Sequence, residues 1–283
     1  MNPVQHSVRM GVKRGWLETL QTMTNREDLF NTFIFPAIFI VVMFFMRDAK
    51  LPGMEFSLGA ATVPSVLGAG IVFSGMLGMA GVLAVEREDG TLLRAKATPN
   101  GMLGYLVGKV VTISIGTVIG MLLVLIPSLI LFDGIAPGGL TSWLGLLWVL
   151  VLGLLATMPL GAIFGSLTTN ARSIGLIMLP TLGIGAISGI FYPITALPEW
   201  LQGIGQVFPM YWLGLGMRSA LLPDSTVMIE IGHSWRPWET LGVLSAWSVI
   251  GLVLAPVVLR RMARRESGSS VAARREKAMQ RIG

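Results

Sequence analysis

Charge is scarce in this chain and cysteine is absent. Only 13% of the 283 residues are charged, against 53% that are hydrophobic, and there are no cysteines. The lack of cysteine excludes disulfides and thiolate metal sites. The two histidines, His6 and His233, have no neighbour at ligand spacing, so no metal site is predicted.

Long uncharged runs fill most of the sequence instead. Several exceed the ~20 residues that a helix needs to cross a hydrocarbon core of ~30 Å. Lipid cannot satisfy backbone hydrogen-bonding groups, and the runs lack the alternation of a barrel strand, so the spans must be helices. The sequence therefore predicts an all-α integral membrane protein with no room for a soluble catalytic domain, and no catalytic residue is assigned.

Residues 1–260 are predicted to form one membrane domain with six transmembrane helices. An apolar region at 195–222 is interrupted by Pro209 and Arg218, and it is predicted to form short re-entrant helices between spans five and six. The six spans are predicted at about 29–46, 59–85, 105–132, 143–169, 173–192 and 240–259.

An N-terminal helix over residues 5–25 is predicted to lie in the membrane interface. Val8, Val12, Trp16 and Leu20 recur four apart, which places them on one face of a helix. Aromatic rings with a polar edge favour the headgroup level. Trp16, Trp200, Tyr211 and Trp212 are therefore predicted to be membrane-interface residues.

The positive charge of the chain is concentrated at one end and on one side. The formal net charge is +6, and a basic tail at 261–283 follows the last span. Six spans put 17 of the 21 lysines and arginines on one side, which the positive-inside rule makes the cytoplasm. We expect a multi-pass protein of the cell (inner, cytoplasmic) membrane with both termini cytoplasmic. The tail favours contact with anionic lipids, and no nucleic-acid partner is predicted.

A cluster of charges between spans two and three is the strongest functional signal. Acidic residues at its start and basic residues at its end complement the two ends of a short helix, and Leu92 and Leu93 offer an apolar contact. Residues 86–100, here called the coupling segment, are predicted to dock a soluble partner; a merely solvated loop is the alternative. The predicted docking residues are Glu86, Arg87, Glu88, Asp89, Gly90, Thr91, Leu92, Leu93, Arg94 and Pro99.

The same segment resembles that of a known family. The run from Glu86 to Arg94 with Ala97-Thr98-Pro99, and later Ser188-Gly-Ile-Phe-Tyr-Pro193 and Phe208-Pro-Met-Tyr-Trp212, are similar to ABC-2 type exporter permeases of the daunorubicin-resistance, multidrug class. The resemblance implies a transmembrane subunit that exports drugs, lipids or other amphiphiles. It also implies two soluble ABC ATPase subunits per complex and a second permease copy or paralogue.

No ATP site is predicted in the chain itself. Gly108-Lys109 is followed by Val110, where a phosphate loop needs a hydroxyl for magnesium. ATP and magnesium are expected on the partner ATPase, so the chain is predicted not to be an enzyme and to hold no cofactor.

Polar residues inside the spans are the candidate contacts of a substrate path. Those residues are Asn31, Ser74, Thr117 and Thr181. Glycines recur four apart at 104/108, 116/120, 161/165 and 185/189, which favours close helix packing in lipid. The alternative functions are an ATP-independent secondary carrier or channel, which should show ionisable groups in its path, and a membrane anchor for an ATPase.

Overall fold

The computed structural model describes residues 2–51, 55–135, 137–168 and 174–265. Most of these residues are helical, and the described ranges contain no strand beyond an isolated bridge between Lys50 and Ser57. The all-α membrane class predicted from the sequence is confirmed within these ranges. The predicted basic tail lies outside the described residues from 266 onward, as do residues 169–173 between the predicted fourth and fifth spans.

Eleven α-helices are found among the described residues. They are α1 (Pro3–Thr24), α2 (Arg26–Phe45), α3 (Leu58–Val72), α4 (Met79–Glu88), α5 (Thr91–Lys96), α6 (Gly101–Leu131), α7 (Leu140–Leu167), α8 (Gly175–Ile187), α9 (Glu199–Val207), α10 (Pro209–Leu221) and α11 (Pro237–Arg265). A π-helical turn, Phe73–Gly78, joins α3 to α4, so that 58–88 form one continuous rod.

Five of these helical stretches are long and apolar enough to cross a membrane. They are α2, the rod 58–88, α6, α7 and α11 up to Met262, and they match five of the six predicted spans. The remaining predicted span, 173–192, corresponds to α8, which has only 13 residues. This helix ends because Ser188 leaves the helical conformation and Gly189 takes a positive φ of 65°.

α1 is a separate helix held against α6 by glycines. A Cβ atom on Gly11 would lie 2.4 Å from the carbonyl oxygen of Gly104, and one on Gly15 would lie 2.5 Å from that of Gly108. The two backbones therefore touch, and the predicted Gly104/Gly108 pair packs within the chain. Trp16 is 54% exposed on α1, and its interfacial position stays a prediction.

A second glycine pair brings α7 against the rod 58–88. A Cβ atom on Gly161 would meet the carbonyl oxygen of Met76 at 2.4 Å, and one on Gly165 would meet the Cα of Ala80 at 2.8 Å. Gly116 and Gly120 behave differently, because a Cβ on either would have no described atom within 4 Å.

α10 lies in the centre of the fold and corrects the prediction for two aromatic residues. Tyr211 and Trp212 are 0% and 3% exposed, so their rings are enclosed by protein and cannot face lipid headgroups. The burial follows from close packing, since a Cβ on Gly68 of α3 would lie 2.7 Å from the backbone nitrogen of Gly214. Trp200 is 66% exposed, and its interfacial position stays a prediction.

A buried ion pair fixes α10 in place. Arg218 is 4% exposed, and its Nε donates to Oε1 of Glu230 at 2.6 Å. Its Nη1 also donates to the hydroxyl of Ser65 on α3, at 2.8 Å. The sequence places Arg218 outside the membrane but shows no partner for it.

The glycine contact between α1 and α6 can be tested by adding one methyl group. We predict that Gly11→Ala lowers the free energy of unfolding by about 1–3 kcal/mol, because the backbones must separate. The matched control is Gly183→Ala on α8, where a Cβ has open space, and there better helix propensity should leave stability unchanged or slightly higher. Thermal unfolding in detergent measures both. Equal midpoints for the two variants would contradict the packing.

Candidate functional site

The coupling segment is a short helix between two spanning helices. α4 ends at Glu88, Gly90 takes a φ of 80°, and α5 begins at Thr91. Glycine is suited to this turn because a positive φ carries little steric cost for it. The carboxylate of Asp89 accepts a hydrogen bond from the backbone N–H of Thr91 at 2.7 Å, which satisfies a free donor in the first turn of α5.

The chain turns later than the charge pattern predicts. Glu86 and Glu88 belong to the last turn of α4 rather than to the start of the short helix, because the break falls at Gly90. The prediction that these two carboxylates complement the positive end of the short helix is therefore wrong, and Asp89 alone takes that position.

The predicted docking residues divide into a surface and a base. Asp89, Arg94 and Pro99 are exposed, with Lys96 beside them. Glu86, Arg87, Glu88, Thr91 and Leu93 are half-buried, and Gly90 and Leu92 are buried.

Leu92 corrects the predicted apolar contact with a partner. Its side chain is 2% exposed and belongs to the core of this chain. Burying a leucine contributes about 1.5–3 kcal/mol, so a six-residue helix gains most by turning this residue toward its own fold. Leu93 keeps part of its surface accessible.

The base of the segment contains an ionic cluster, defined here as Arg14, Glu18, Glu86 and Lys109, in which Lys109 is buried and the other three are half-buried. The ammonium of Lys109 lies 2.6 Å from Oε1 of Glu86 and 2.7 Å from Oε2 of Glu18. Arg14 approaches the other oxygen of Glu18 at 2.8 Å. Two cations thus face two carboxylates, and the cluster connects α1, α4 and α6.

The cluster favours the charged form of Glu18. Burial alone would raise the pKa of Glu18, but hydrogen bonds from Lys109 and Arg14 outweigh it and lower that pKa below its ordinary value. A lowered pKa means that the interaction stabilises the fold above the ordinary pKa of a glutamate. That contribution is lost as the pH falls through the lowered pKa.

Arg87 connects the segment to a fourth helix. Its Nη1 donates to the backbone carbonyls of Ser166 at 2.8 Å and Thr168 at 2.5 Å, at the C-terminal end of α7. These carbonyls lack intrahelical partners, and a cation is favoured at that end of a helix. The sequence predicts Arg87 as a docking residue, whereas the structure shows it bound to its own chain.

An apolar groove lies deeper in the bundle. Its volume is about 650 Å³, and it is bordered by the end of α1, by α2, by α3 with the π-helical turn, by α6 and by α8. Ser74 and Thr117, two predicted substrate contacts, meet here with their hydroxyl oxygens 2.6 Å apart. Gly116 and Gly120 also line it, which explains the open space beside them.

The other two predicted substrate contacts are not brought to this groove by what the structure describes. Thr181 lines a smaller cavity of about 180 Å³, and its hydroxyl donates to the carbonyl of Ile177. The side chain of Asn31 lies outside the described part of the chain. Among the described residues no group of three or more histidines, aspartates and glutamates is placed to hold a metal ion.

Removing the shared ammonium tests the ionic cluster. We predict that Lys109→Met lowers the free energy of unfolding at neutral pH by about 1–3 kcal/mol, because two half-buried carboxylates lose their common partner. Lys96→Met, the same change at an exposed position of α5, should have a much smaller effect.

Acidification separates this effect from a general packing defect. The Lys109→Met protein should gain stability as the pH falls from 7 to 5, because protonation removes the negative charge that the missing ammonium no longer compensates, while the unsubstituted protein should not. Thermal unfolding at the two pH values measures the difference. A parallel pH response in both proteins would rule out the cluster as described.

Comparison with known proteins places these features in a family. Residues 54–256 match the family described as ABC-2 family transporter protein. The chain is also 22% identical over 255 residues to a Bacillus subtilis (strain 168) protein named "Putative transport permease YvfS", an alignment that covers 88% of this chain and 96% of that protein. The family match includes the coupling segment, the groove-lining π-helical turn and α10. The chain therefore belongs to the ABC-2 family of transporter proteins, as a membrane-spanning permease.

Proposed function

We propose that this permease is the membrane subunit of an ATP-driven exporter that moves hydrophobic or amphiphilic compounds, drug-like or lipid-like, outward across the membrane. The observation that carries the proposal is α5, a charged surface helix joined directly to α4, whose last turn is bound to α6 through Glu86 and to α7 through Arg87. Family membership implies an associated ATPase subunit, and α5 offers it a rigid surface. Hydrolysis takes place on that separate subunit, which binds ATP and magnesium.

The proposed topology has six spans, with α8 completing the fifth crossing. α11 runs parallel to α7, since Thr240 and Val149 both lie beside Gly216 while Gly251 lies beside Pro159. The last turns of α11 therefore lie at the same end as α5 and α1, and the excess of lysine and arginine at this end supports a cytoplasmic position for it.

In this topology different helices lie at the outer and the inner face of the membrane. We assign α9 and α10 to the outer leaflet as re-entrant helices. α1 lies in the inner interface, and the basic tail contacts anionic lipids.

Transmission from the ATPase begins at the exposed residues of α5. The ionic cluster carries a displacement of α4 into α1 and α6, and Arg87 carries it into α7. Nucleotide then changes the population of inward- and outward-open states only as far as the ATPase contacts them differently.

The complex is proposed to contain two permease subunits, either identical or paralogous, and two ATPases. α2 supports a second copy, because it is the least buried of the five long apolar helical stretches and carries Phe30, Phe33 and Phe35 on its surface. Lipid covers whatever part of this face the second copy leaves open.

An ATP-independent carrier or channel receives no support from the groove. Such proteins place ionisable residues along their path. The groove is bordered by hydroxyl-bearing and apolar side chains, and its described lining includes no charged residue. A pure membrane anchor for an ATPase would need no groove of this volume.

Reversing charge on α5 tests the docking surface. We predict that Arg94→Glu combined with Lys96→Glu reduces co-purification of the cognate ATPase, and ATP-driven uptake of a fluorescent amphiphile into inverted vesicles, by at least about tenfold, since each charge mismatch costs of order 1 kcal/mol or more. The matched control is Arg47→Glu, an exposed base at the opposite end of the bundle. Transport that persists unchanged in the α5 variant would refute the proposed docking surface.

A further inference from the structure

The groove contains six hydroxyl groups, and their hydrogen bonds define what it can recognise. They belong to Thr19, Thr22, Thr32, Ser74, Thr112 and Thr117. A hydroxyl has one proton to donate and two lone pairs that accept. Where each proton goes therefore decides whether the groove offers donors or acceptors to a bound molecule.

The threonine protons are used within the helices. Thr19 donates to the carbonyl of Gly15 at 2.9 Å, Thr22 to that of Glu18 at 3.1 Å, and Thr32 to that of Asp28 at 2.8 Å. Thr112 has acceptors of its own, including the carbonyl of Gly108 at 3.0 Å. These side chains retain lone pairs and have no proton left for a ligand.

Ser74 and Thr117 also have no proton left for a ligand. Thr117 donates to the carbonyl of Ile113 at 2.7 Å, so the proton between Thr117 and Ser74 must come from Ser74. Ser74 then keeps two lone pairs and Thr117 keeps one. The π-helical turn positions this pair by carrying Ser74 at its second residue, and π-helical turns are frequent at functional sites.

The charge distribution around the groove also disfavours an anionic ligand. Thr22 and Met23, in the last turn of α1, border the groove, and the carbonyl end of a helix carries partial negative charge. No lysine or arginine is among the described lining residues to balance it. An anionic head would face oxygen lone pairs and the negative end of a helix.

The rest of the lining is apolar and of suitable size. Phe35, Phe39, Met121 and Phe191 are among the residues that cover the walls. A volume of about 650 Å³ is within the range of ~300–1,000 Å³ typical of sites for drug-sized molecules. The apolar walls therefore favour the apolar part of a ligand, and the hydroxyl groups orient its polar head.

We propose that this groove binds amphiphiles whose polar head donates hydrogen bonds, such as an alcohol or an amine, and rejects heads that only accept or that carry negative charge. The inference rests on the proposed export function and names the substrate class of that path. Ser74 and Thr117 accept the donor, and the aromatic and methionine side chains hold the apolar chain.

The absence of cysteine in the sequence permits a direct binding test on the full-length protein. Gly120→Cys places one thiol in the groove, where a Cβ has open space, and Gly183→Cys places one on α8 outside the groove lining. The rate of labelling by uncharged methyl methanethiosulfonate is measured in zwitterionic nanodiscs. Four probes with the same twelve-carbon chain are compared: dodecanol, dodecylamine, dodecyl methyl ether and dodecanoate.

Dodecanol and dodecylamine should protect Gly120→Cys about fivefold better than the ether and dodecanoate, as one net hydrogen bond predicts. Labelling of Gly183→Cys should not distinguish the four probes. Ser74→Ala with Thr117→Val should abolish the preference while thermal unfolding shows the fold retained. Equal protection by alcohol and ether overturns the donor selectivity, and no protection by any probe overturns the site.

The outcome is separable from that of the export proposal, because no ATPase is present in this assay. Failure of protection leaves ATP-driven transport of other compounds to be measured on its own. Conversely, selective protection together with cargo movement that needs no ATPase would refute the export mechanism and keep the binding site.

Discussion

The ammonium of Lys109, enclosed between the carboxylates of Glu18 and Glu86, is the interaction on which the coupling account depends. Removing a charge from water is costly, and the two close carboxylates, with the ring of Tyr105 5.7 Å away, compensate for it here. The helices that supply these groups are consequently held at a fixed distance. A surface helix attached to such a junction moves with it rather than bending alone.

Glycine makes that junction possible. Gly11 and Gly15 allow α1 to touch the backbone of α6, which brings Glu18 within reach of Lys109. In lipid, where apolar surfaces gain little from meeting each other, such close contact and buried polar pairs are the main sources of helix association. The same helix α6 then carries Thr117 into the groove, so the cluster and the groove share one element.

Hydropathy was sufficient to predict most of the fold, because lipid imposes length and composition on every crossing. Five long apolar helical stretches lie where the uncharged runs place them. α8 is shorter than its run, because Ser188 and Gly189 end the helix inside an apolar stretch. Residue type predicts an interfacial position for Tyr211 and Trp212, yet close packing at the neighbouring glycines buries both rings in the core.

The candidate site was predictable as a segment but not as a set of contacts. The acidic and basic run identified residues 86–100, and Gly90 marks the turn at which α5 begins. The partners of Glu86 and Arg87 lie 23 residues or more along the chain, at Lys109, Ser166 and Thr168, and a local charge pattern carries no information about such pairs. The sequence predicts Ser74 and Thr117 as separate substrate contacts. It does not predict the hydrogen bond between them, in which Ser74 is positioned by the π-helical turn.

The most direct test of the coupling account links α5 to the groove without any cargo. In the complex with its ATPase, the labelling rate of Gly120→Cys is compared with and without ATP, in an otherwise unsubstituted chain and in Glu86→Gln. ATP should change the rate severalfold in the first case and little in the second, with the ATPase bound equally in both. An equal response to ATP in both proteins would contradict the claim that the cluster around Lys109 transmits the movement.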